Sequence, residues 1–214
     1  MKKHALHSIL LIIFLLAGTA AAGDSQVMRR YYDDGMLKDF GANIILVGCP
    51  EHIMRFTRWL DEIAMVPKGL QTLWRISDTP HELIIRDSEH ALRSAGRTLA
   101  PMTMNIINGT GESVEIKFDA RTEDGGSHMV YNARRELIEY SAIQNLYHEL
   151  AHAMHMMNGT WRYYDSEAQA IEEENIFRRQ LAELKGRPAT QRFRIDGVMI
   201  RDPRKPLTLQ TAAQ

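Results

Sequence analysis

Two histidines and one glutamate have the types and spacing needed to bind a metal ion and activate water. His148 and His152 lie four residues apart, and Glu149 directly follows the first histidine. On an α-helix this spacing puts both imidazoles on one face, where they can bind a single zinc ion. Zinc lowers the pKa of a bound water, and a nearby carboxylate can take the proton as the water attacks a carbonyl carbon. The motif therefore predicts His148 and His152 as zinc ligands and Glu149 as the general base.

The sequence around this motif has the pattern of a helix that packs into a core. Apolar residues recur at helical spacing along it: Ile143, Leu146, Tyr147, Leu150, Ala151 and Met154. Both histidines flank this apolar face, and Asn158-Gly159 is typical of a helix end. We therefore predict a helix at about residues 141–157 that offers both imidazoles at the edge of its buried face.

A catalytic zinc site needs a third protein ligand and an open position for water. The metzincin pattern would place Gly at position 155 and His at position 158, where the chain has His155 and Asn158. The sequence thus excludes that class. His155 is only three residues beyond His152 and rotates further around the helix, so we interpret it as a residue that supports the site or lies on the surface.

Glutamates on a second helix, predicted at about residues 166–185, are the remaining ligand candidates. The inward face of this helix is defined by Ala170, Ile171, Phe177, Leu181 and Leu184. Glu167 and Glu174 fall on that face, whereas Glu172 and Glu173 point away as solvated charges. A buried carboxylate is costly unless it binds a cation or a strong donor, so the first two glutamates need an explanation.

Glu167 is the favoured third ligand, and Glu174 is the alternative. Glu167 is followed by Ala170 in an E-x-x-A segment, where the small residue lets two helices approach closely. Glu174 lies nearer the centre of the inward face, which keeps it open as a ligand. If Glu167 binds zinc, we expect Glu174 to support a histidine ligand and to pair with Arg178 four residues later.

The other segments predict a small α+β domain with a short sheet of few strands. Ser166 and Gln169 have the spacing of a capping box at the start of the second helix. Helical spacing of apolar residues indicates further helices at about residues 51–64 and 70–76. Apolar runs and alternation indicate strands at residues 44–47, 83–85, 114–118 and 128–131.

The N-terminus has the features of an export signal. Lys2 and Lys3 precede an unbroken apolar run from Ile9 to Ala17, and Ala20-Ala21-Ala22-Gly23 offers small residues for cleavage. We predict a signal peptide at residues 1–22, with an uncleaved anchor as the alternative. The protein is then exported, as a periplasmic or secreted protein with no stable membrane association after signal removal.

Net charge and cysteine content bear on which partners the protein can have and on how it is stabilised. The formal net charge is −1, which gives no basis for nucleic-acid binding. Cys49 is the only cysteine and cannot form an internal disulfide, so an exported protein must be stable through its core, a metal or both. We predict one domain at residues 24–200 and a loosely ordered tail at residues 201–214. The sequence leaves the oligomeric state open.

The C-terminal half resembles a known family of zinc metallopeptidases, the NleD-like effector proteases that bacteria secrete. The helix from Glu51, followed by Pro67-x-Gly69-Leu70, is also similar to the opening of that family. The matching segments are Tyr147–His155, Asn158–Thr160, Glu174–Arg178 and Gly186–Pro188. The resemblance implies a zincin-like metalloprotease domain, with a glutamate-bearing helix after the H-E-x-x-H helix, zinc as cofactor and a protein or peptide as substrate.

These residues together predict a zinc endopeptidase. Such an enzyme needs a donor for the oxyanion, and Tyr163, Tyr164 and His128 are candidates. The strand at residues 128–131 is expected to be a sheet edge along which an extended substrate pairs. The alternatives are a zinc-binding interaction module without turnover and a secreted toxin or effector with a specific protein target.

Overall fold

The computed structural model describes residues 27–30, 43–88, 96–126, 128–193 and 200–201. The predicted signal peptide and residues 202–214 of the predicted tail lie outside these ranges. The described residues form eight strands and four α-helices in mixed order, which confirms the predicted α+β class. Within them, no helix combines the length and apolar character needed to cross a membrane.

A five-stranded sheet forms one layer, in the order β1-β2-β3-β5-β4. Strands β2, β3 and β5 run parallel, and β1 and β4 pair antiparallel at the two edges. All five residues of β2 are buried, as expected for a parallel strand covered on both faces. The strands are β1 (Val27–Arg30), β2 (Ile44–Gly48), β3 (Leu83–Asp87), β4 (Gly96–Leu99) and β5 (Val114–Phe118).

A second, antiparallel sheet has the order β7-β6-β8, with β6 at its centre. Its strands are β6 (His128–Tyr131), β7 (Leu137–Tyr140) and β8 (Ile200–Arg201). The prediction that residues 128–131 form a free sheet edge is therefore wrong. A strand from the far end of the chain pairs with β6, and the Phe193 N–H donates to the Tyr131 carbonyl at 2.7 Å.

Helices α1 (Pro50–Ala64) and α2 (Pro67–Ser77) each begin with a proline in the first turn, where its missing N–H costs no hydrogen bond. Helix α1 buries one face: Ile53, Phe56, Trp59, Leu60 and Ile63. The two helices approach closely at Gly69, where a Cβ atom would lie 2.0 Å from the Ile63 carbonyl oxygen. Any side chain at position 69 would therefore push the helices apart.

Helix α3 (Ala142–Met157) is the central element of the core. It begins with a capping box in which the Ser141 N–H donates to Gln144 Oε1 at 2.9 Å and the Gln144 N–H donates to Ser141 Oγ at 3.4 Å. All of its residues are buried, because α1, α2, α4, β4 and β5 pack around it. Its polar side chains therefore need partners inside the protein.

Helix α4 (Ser166–Leu184) begins after Asp165, which is the N-cap. The capping box predicted from Ser166 and Gln169 is therefore wrong. The Gln169 side chain instead faces the preceding loop: its Nε2 donates to the Thr160 carbonyl at 2.9 Å, and its Oε1 accepts from the Arg162 N–H at 3.0 Å. Because its amide group bonds the backbone of Thr160 and Arg162, the Gln169 side chain cannot accept from or donate to the first backbone groups of α4.

An aromatic pair fixes α3 against α4. The rings of Tyr147 and Phe177 stack with centroids 4.1 Å apart and an interplanar angle of 6°. The Tyr147 hydroxyl lies 3.0 Å from Thr72 Oγ1 on α2, and burial raises the pKa of Tyr147 well above its usual range. The stacked pair and this hydrogen bond join α3 to α4 and to α2. They fix the orientation of α3 about its own axis, which decides where the side chains of its histidines point.

Candidate metal centre

Two imidazole nitrogens on α3 face one carboxylate on α4. His148 Nε2 lies 3.4 Å from Glu167 Oε2, and His152 Nε2 lies 3.2 Å from Glu167 Oε1. One ligand atom from each of the three residues falls within 4.8 Å of the others. The histidines are buried, and the Glu167 side chain is 58% exposed, so the cluster opens toward solvent on the α4 side.

The separation of these donor atoms fits a small tetrahedral cation. Ligand atoms about 2.0–2.1 Å from a tetrahedral zinc ion stand about 3.3 Å from one another. The two nitrogen–oxygen distances at this cluster, 3.2 and 3.4 Å, are close to that value but run to different oxygens of Glu167, and one ligand atom from each residue lies within 4.8 Å of the others. Two imidazoles and one carboxylate also match the donor types that zinc takes in three-ligand sites. The residues present therefore fit zinc.

The structure brings Glu167, not Glu174, to the two Nε2 atoms. Glu167 lies in the first turn of α4, where the helix meets the surface, and the expectation that it is buried on the inward face is wrong. Hydrogen bonds from His148 and His152 hold the pKa of Glu167 well below its usual range. This carboxylate is therefore ionised and can act as a metal ligand.

Glu174 is fully buried behind His148. Its Oε2 lies 3.1 Å from His148 Nδ1, and its Oε1 accepts from Arg178 Nε at 2.6 Å. Burial alone would raise the pKa of Glu174, but Arg178, His148 and Arg192 hold it at about 2. The carboxylate is thus ionised and can only accept hydrogen bonds.

The pKa of His148 reflects both carboxylates. Burial would lower it, but hydrogen bonds with Glu167 and Glu174 raise it to about 9. The two bonds use different ring nitrogens, since Nε2 faces Glu167 and Nδ1 faces Glu174. In the protein without a metal ion, His148 is therefore protonated at neutral pH.

Arg192 is a site residue that the sequence pattern did not reveal. Its Nη1 donates to Glu174 Oε2 at 3.1 Å and to the Tyr140 hydroxyl at 3.3 Å, and it lies 3.4 Å from His148 Nδ1. Asn175 holds the backbone of Arg192 through two hydrogen bonds of 2.7 and 2.9 Å. The residue follows α4 in a segment without regular structure, so no periodicity could point to it.

Glu149 is held by strand β4. The Thr98 hydroxyl lies 2.6 Å from Glu149 Oε2 and 3.1 Å from its carbonyl oxygen. A Cβ atom at Gly96 would lie 2.7 Å from Glu149 Cγ, so β4 passes directly against this side chain. Glu149 is 6% exposed. Strand β4, which the sequence did not predict, therefore sets the position of the predicted base.

His155 belongs to a different cluster near the end of α3. Its Nδ1 lies 2.8 Å from Thr160 Oγ1, and its Nε2 lies 3.6 Å from Glu173 Oε1. Glu173 also pairs with Lys68 on α2, so the expectation that it is a solvated charge is wrong. Burial would raise the pKa of Glu173, but His155 and Lys68 lower it to about 2. His155 thus supports the contact of α2 with α4.

The predicted oxyanion donors lie outside the cluster's contacts. Tyr163 and Tyr164 are 56% and 97% exposed in the loop before α4. The Tyr163 ring contacts the rings of both Trp161 and Tyr164. His128 lies in the central strand of the three-stranded sheet. An oxyanion role for any of the three therefore stays a prediction.

The described residues place Glu149 on the same helix as two histidines whose Nε2 atoms face the Glu167 carboxylate, a group that could hold a metal ion. Residues 44–184 match the model of peptidase family M91, described as an effector protein, so the chain belongs to that family. The resemblance to the NleD-like effector proteases is thereby confirmed. No curated protein matches the chain.

Three solved structures with low similarity are light chains of botulinum neurotoxins. The serotype HA light chain shares 15% identity over 52% of this chain and 36% of its own, with a TM-score of 0.40. The zinc-removed type C light chain shares 14% identity over 56% of this chain and 47% of its own, with a TM-score of 0.39. The serotype C1 light chain protease shares 15% identity over 67% of this chain and 42% of its own, with a TM-score of 0.38. The chain spans less than half of each, and at these TM-scores we infer neither fold nor function from them.

Proposed function

We propose that this protein is a zinc-dependent endopeptidase, with His148, His152 and Glu167 as the zinc ligands and Glu149 as the general base. The observation that carries the proposal is the approach of both Nε2 atoms to the Glu167 carboxylate at 3.4 and 3.2 Å. Membership of a peptidase family supports the same reaction class. Zinc bound there supplies a Lewis acid for the scissile carbonyl and lowers the pKa of water.

Glu174 sets the tautomer that the site needs. Because its ionised carboxylate can only accept, the bond to His148 requires the proton on Nδ1. In the metal-free protein Nε2 also carries a proton, toward Glu167; when that proton is released, the lone pair of Nε2 faces the cluster and can bind a metal ion. Arg178 and Arg192 hold Glu174 from two sides, so the imidazole is oriented before any metal binds.

Glu149 can act as base because only one of its oxygens is held by Thr98. The hydroxyl donates to Oε2 at 2.6 Å, which fixes the carboxylate and leaves Oε1 to accept a proton. Glu149 takes that proton from the attacking water and delivers it to the amine as the peptide C–N bond breaks.

Strand β4 is the part of the sheet best placed to bind an extended substrate. It is one of the two edge strands of the five-stranded sheet in the described residues, and its Thr98 touches the proposed base. A peptide paired with Arg97 and Leu99 would pass in front of Glu149. We therefore place the substrate along β4 and not along β6.

Replacing the proposed base tests the function against a silent zinc-binding module. Glu149→Gln should abolish cleavage of a casein-derived peptide mixture while one zinc per chain is retained. Glu172→Gln, a substitution on the exposed side of α4, is the matched control and should cleave like the wild type. Full cleavage by Glu149→Gln would exclude this residue as base, and a metal-loaded wild type that cleaves no peptide would favour the silent module.

The family makes a protein the expected substrate, consistent with an effector that acts on a specific protein target. Export rests on residues 1–22, which lie outside the described residues, and it stays a prediction. Detection of the mature chain in the periplasmic or culture fraction, with residues 1–22 removed, is the result that export requires.

A further inference from the structure

Exposed apolar side chains gather on two loops near the candidate site. Five of the ten most exposed large apolar side chains in the described residues lie on these loops. They are Met102 (64% exposed), Met104 (67%), Ile107 (40%), Tyr163 (56%) and Tyr164 (97%), and we call them the apolar rim. Several exposed apolar side chains on neighbouring loops offer a place where another molecule can bind.

The two loops form one fixed surface. The Trp161 N–H donates to the Ile106 carbonyl at 3.0 Å, and the Gly109 N–H donates to the Gly159 carbonyl at 2.9 Å. Gly159 has a φ of 64°, and a Cβ atom there would lie 2.5 Å from Gly109. The loops thus meet backbone to backbone, and the Tyr163 ring packs edge-on against Trp161 with centroids 5.6 Å apart.

The apolar rim is continuous with the elements that carry the proposed catalytic groups. Its first loop leaves β4 just after Thr98, whose hydroxyl binds Glu149. Its second loop ends at Asp165, the N-cap of α4, two residues before Glu167. A polypeptide that lies along β4 and reaches Glu149 therefore meets the rim on one side of the bond to be cleaved.

The chemistry of the rim favours an apolar segment of a protein. Residues 100–109 contain no side chain that is charged at neutral pH, and residues 159–164 contain only one, Arg162. The methionines can adapt their shape to different side chains, and the tyrosines offer large contact area at low entropic cost. A surface for an anionic membrane would need several basic residues around the same patch.

We propose that the apolar rim binds the apolar side chains of the protein substrate that flank the scissile bond, and so selects the cleavage site. This inference rests on the proposed endopeptidase function. It assigns to Met102, Met104 and Tyr164 a role in substrate choice, separate from metal binding and from proton transfer. Cleavage sites should accordingly carry aromatic or large aliphatic residues on one side of the broken bond.

The test compares two variants of the full chain, each of which loses three exposed apolar side chains. The rim variant carries Met102→Ser, Met104→Ser and Tyr164→Ser. The control variant carries Met54→Ser on α1, Met65→Ser between α1 and α2, and Trp74→Ser on α2. These three side chains are 63%, 75% and 54% exposed, respectively. Each protein is loaded with zinc and incubated with a proteome-derived peptide library, and cleavage sites are read by mass spectrometry.

The expected result is a loss of the apolar preference in the rim variant alone, with zinc content unchanged. For peptides that carry the preferred residue, kcat/KM should fall about tenfold or more, since each lost apolar contact weakens transition-state binding. An unchanged site preference in the rim variant would overturn the inference and leave the endopeptidase intact. A zinc-loaded wild type that cleaves nothing would overturn both.

Vesicle flotation distinguishes a lipid-binding role for the same residues. Wild type and rim variant are mixed with vesicles of phosphatidylcholine alone or with 30% phosphatidylserine, on the order of the anionic content that attracts basic proteins. The inference predicts that neither protein floats with either vesicle. Flotation of the wild type that is lost in the rim variant, with an unchanged cleavage profile, would overturn the inference in favour of a membrane contact.

Discussion

His148 Nδ1 lies 3.1 Å from the fully buried carboxylate of Glu174, while Nε2 of the same ring faces Glu167 at 3.4 Å. One imidazole thus joins an internal ion-pair network to an exposed carboxylate at the surface. The internal side fixes the ring, and the exposed side leaves room for a metal ion and substrate.

Removing the charge of Glu174 should weaken both the fold and the site. Glu174→Gln leaves the guanidinium groups of Arg178 and Arg192 buried without their shared carboxylate. Loss of one member of a buried ion pair costs about 3–5 kcal/mol of unfolding free energy. Loss of the partner of a metal-binding histidine lowers metal affinity by about 10–100-fold. Denaturant unfolding and zinc competition measure the two effects, with Glu172→Gln as control, and an unchanged zinc affinity would exclude the proposed role of Glu174.

The stability conferred by Glu174 should depend on acid pH. Its folded-state pKa of about 2 lies below the ordinary value of 4.5, so its stabilisation is complete above about pH 4.5 and is lost as the pH falls towards 2. In the metal-free protein, the difference in unfolding free energy between wild type and Glu174→Gln should therefore shrink across this window. Denaturant unfolding at several pH values measures it, and a constant difference from pH 7 to pH 2.5 would contradict the ionised state.

Zinc binding at neutral pH should release at least one proton. The pKa of His148 in the metal-free protein is raised from 6.5 to about 9, so the ring is protonated at pH 7, whereas a zinc ligand must be neutral. Zinc affinity should consequently fall as the pH is lowered below 9. Calorimetric titration in buffers with different heats of ionisation counts the protons, and a binding heat that is independent of the buffer would exclude a protonated His148.

Arg192 should matter although it lies outside the residues that match the family model. Arg192→Ala removes the donors to Glu174 and Tyr140 and should lower zinc affinity by about tenfold, because the support of a metal ligand is lost. Arg192→Lys keeps the charge without the guanidinium geometry and should restore part of that loss. Equal zinc affinity in both variants and the wild type would limit Arg192 to a structural role.

The Thr98 hydroxyl should affect turnover without affecting the metal. Thr98→Val keeps the shape of the side chain and removes the 2.6 Å hydrogen bond to Glu149. We expect kcat to fall by about tenfold, less than the roughly 100-fold or more attributed to a positioned acid–base group, because the base itself is retained and only its position is loosened. Zinc content should stay at the wild-type level. Thr98→Ser retains the hydroxyl and should restore activity. Full activity of the valine variant would show that β4 does not position the base.

The parts of the fold that local periodicity defines could be predicted from the sequence. The apolar stripe of α3, the buried face of α1 and most of the inward face of α4 follow from helical spacing. The prediction that Leu184 lies on that inward face is wrong, because it is the last residue of α4 and is 59% exposed. Long-range pairing could not be predicted, since β8 joins β6 from the far end of the chain and β4 is too short to show alternation. The same holds for the site. Glu149 could be predicted because it belongs to the H-E-x-x-H motif, whereas Arg192 contacts Glu174 from a segment that has no helical or strand periodicity.

The burial of single carboxylates was also beyond a helical-wheel argument. Glu167 and Glu174 share a helical face, yet the first turn of α4 is at the surface and the middle is enclosed. Glu173, predicted to be solvated, meets Lys68 because α2 packs against α4. The angular position of a residue gives the direction of its side chain, but the neighbouring elements decide whether water reaches it.

The zinc content of the purified chain shows whether His148, His152 and Glu167 bind a metal ion. Wild type, Glu167→Ala and Glu172→Ala are each incubated with zinc at neutral pH, freed of excess metal and measured by mass spectrometry. The proposed site predicts one zinc per chain in the wild type and in Glu172→Ala, and loss of zinc in Glu167→Ala. A wild type that holds no zinc, or a Glu167→Ala variant that holds it as tightly as the wild type, would contradict the claim that His148, His152 and Glu167 bind the metal.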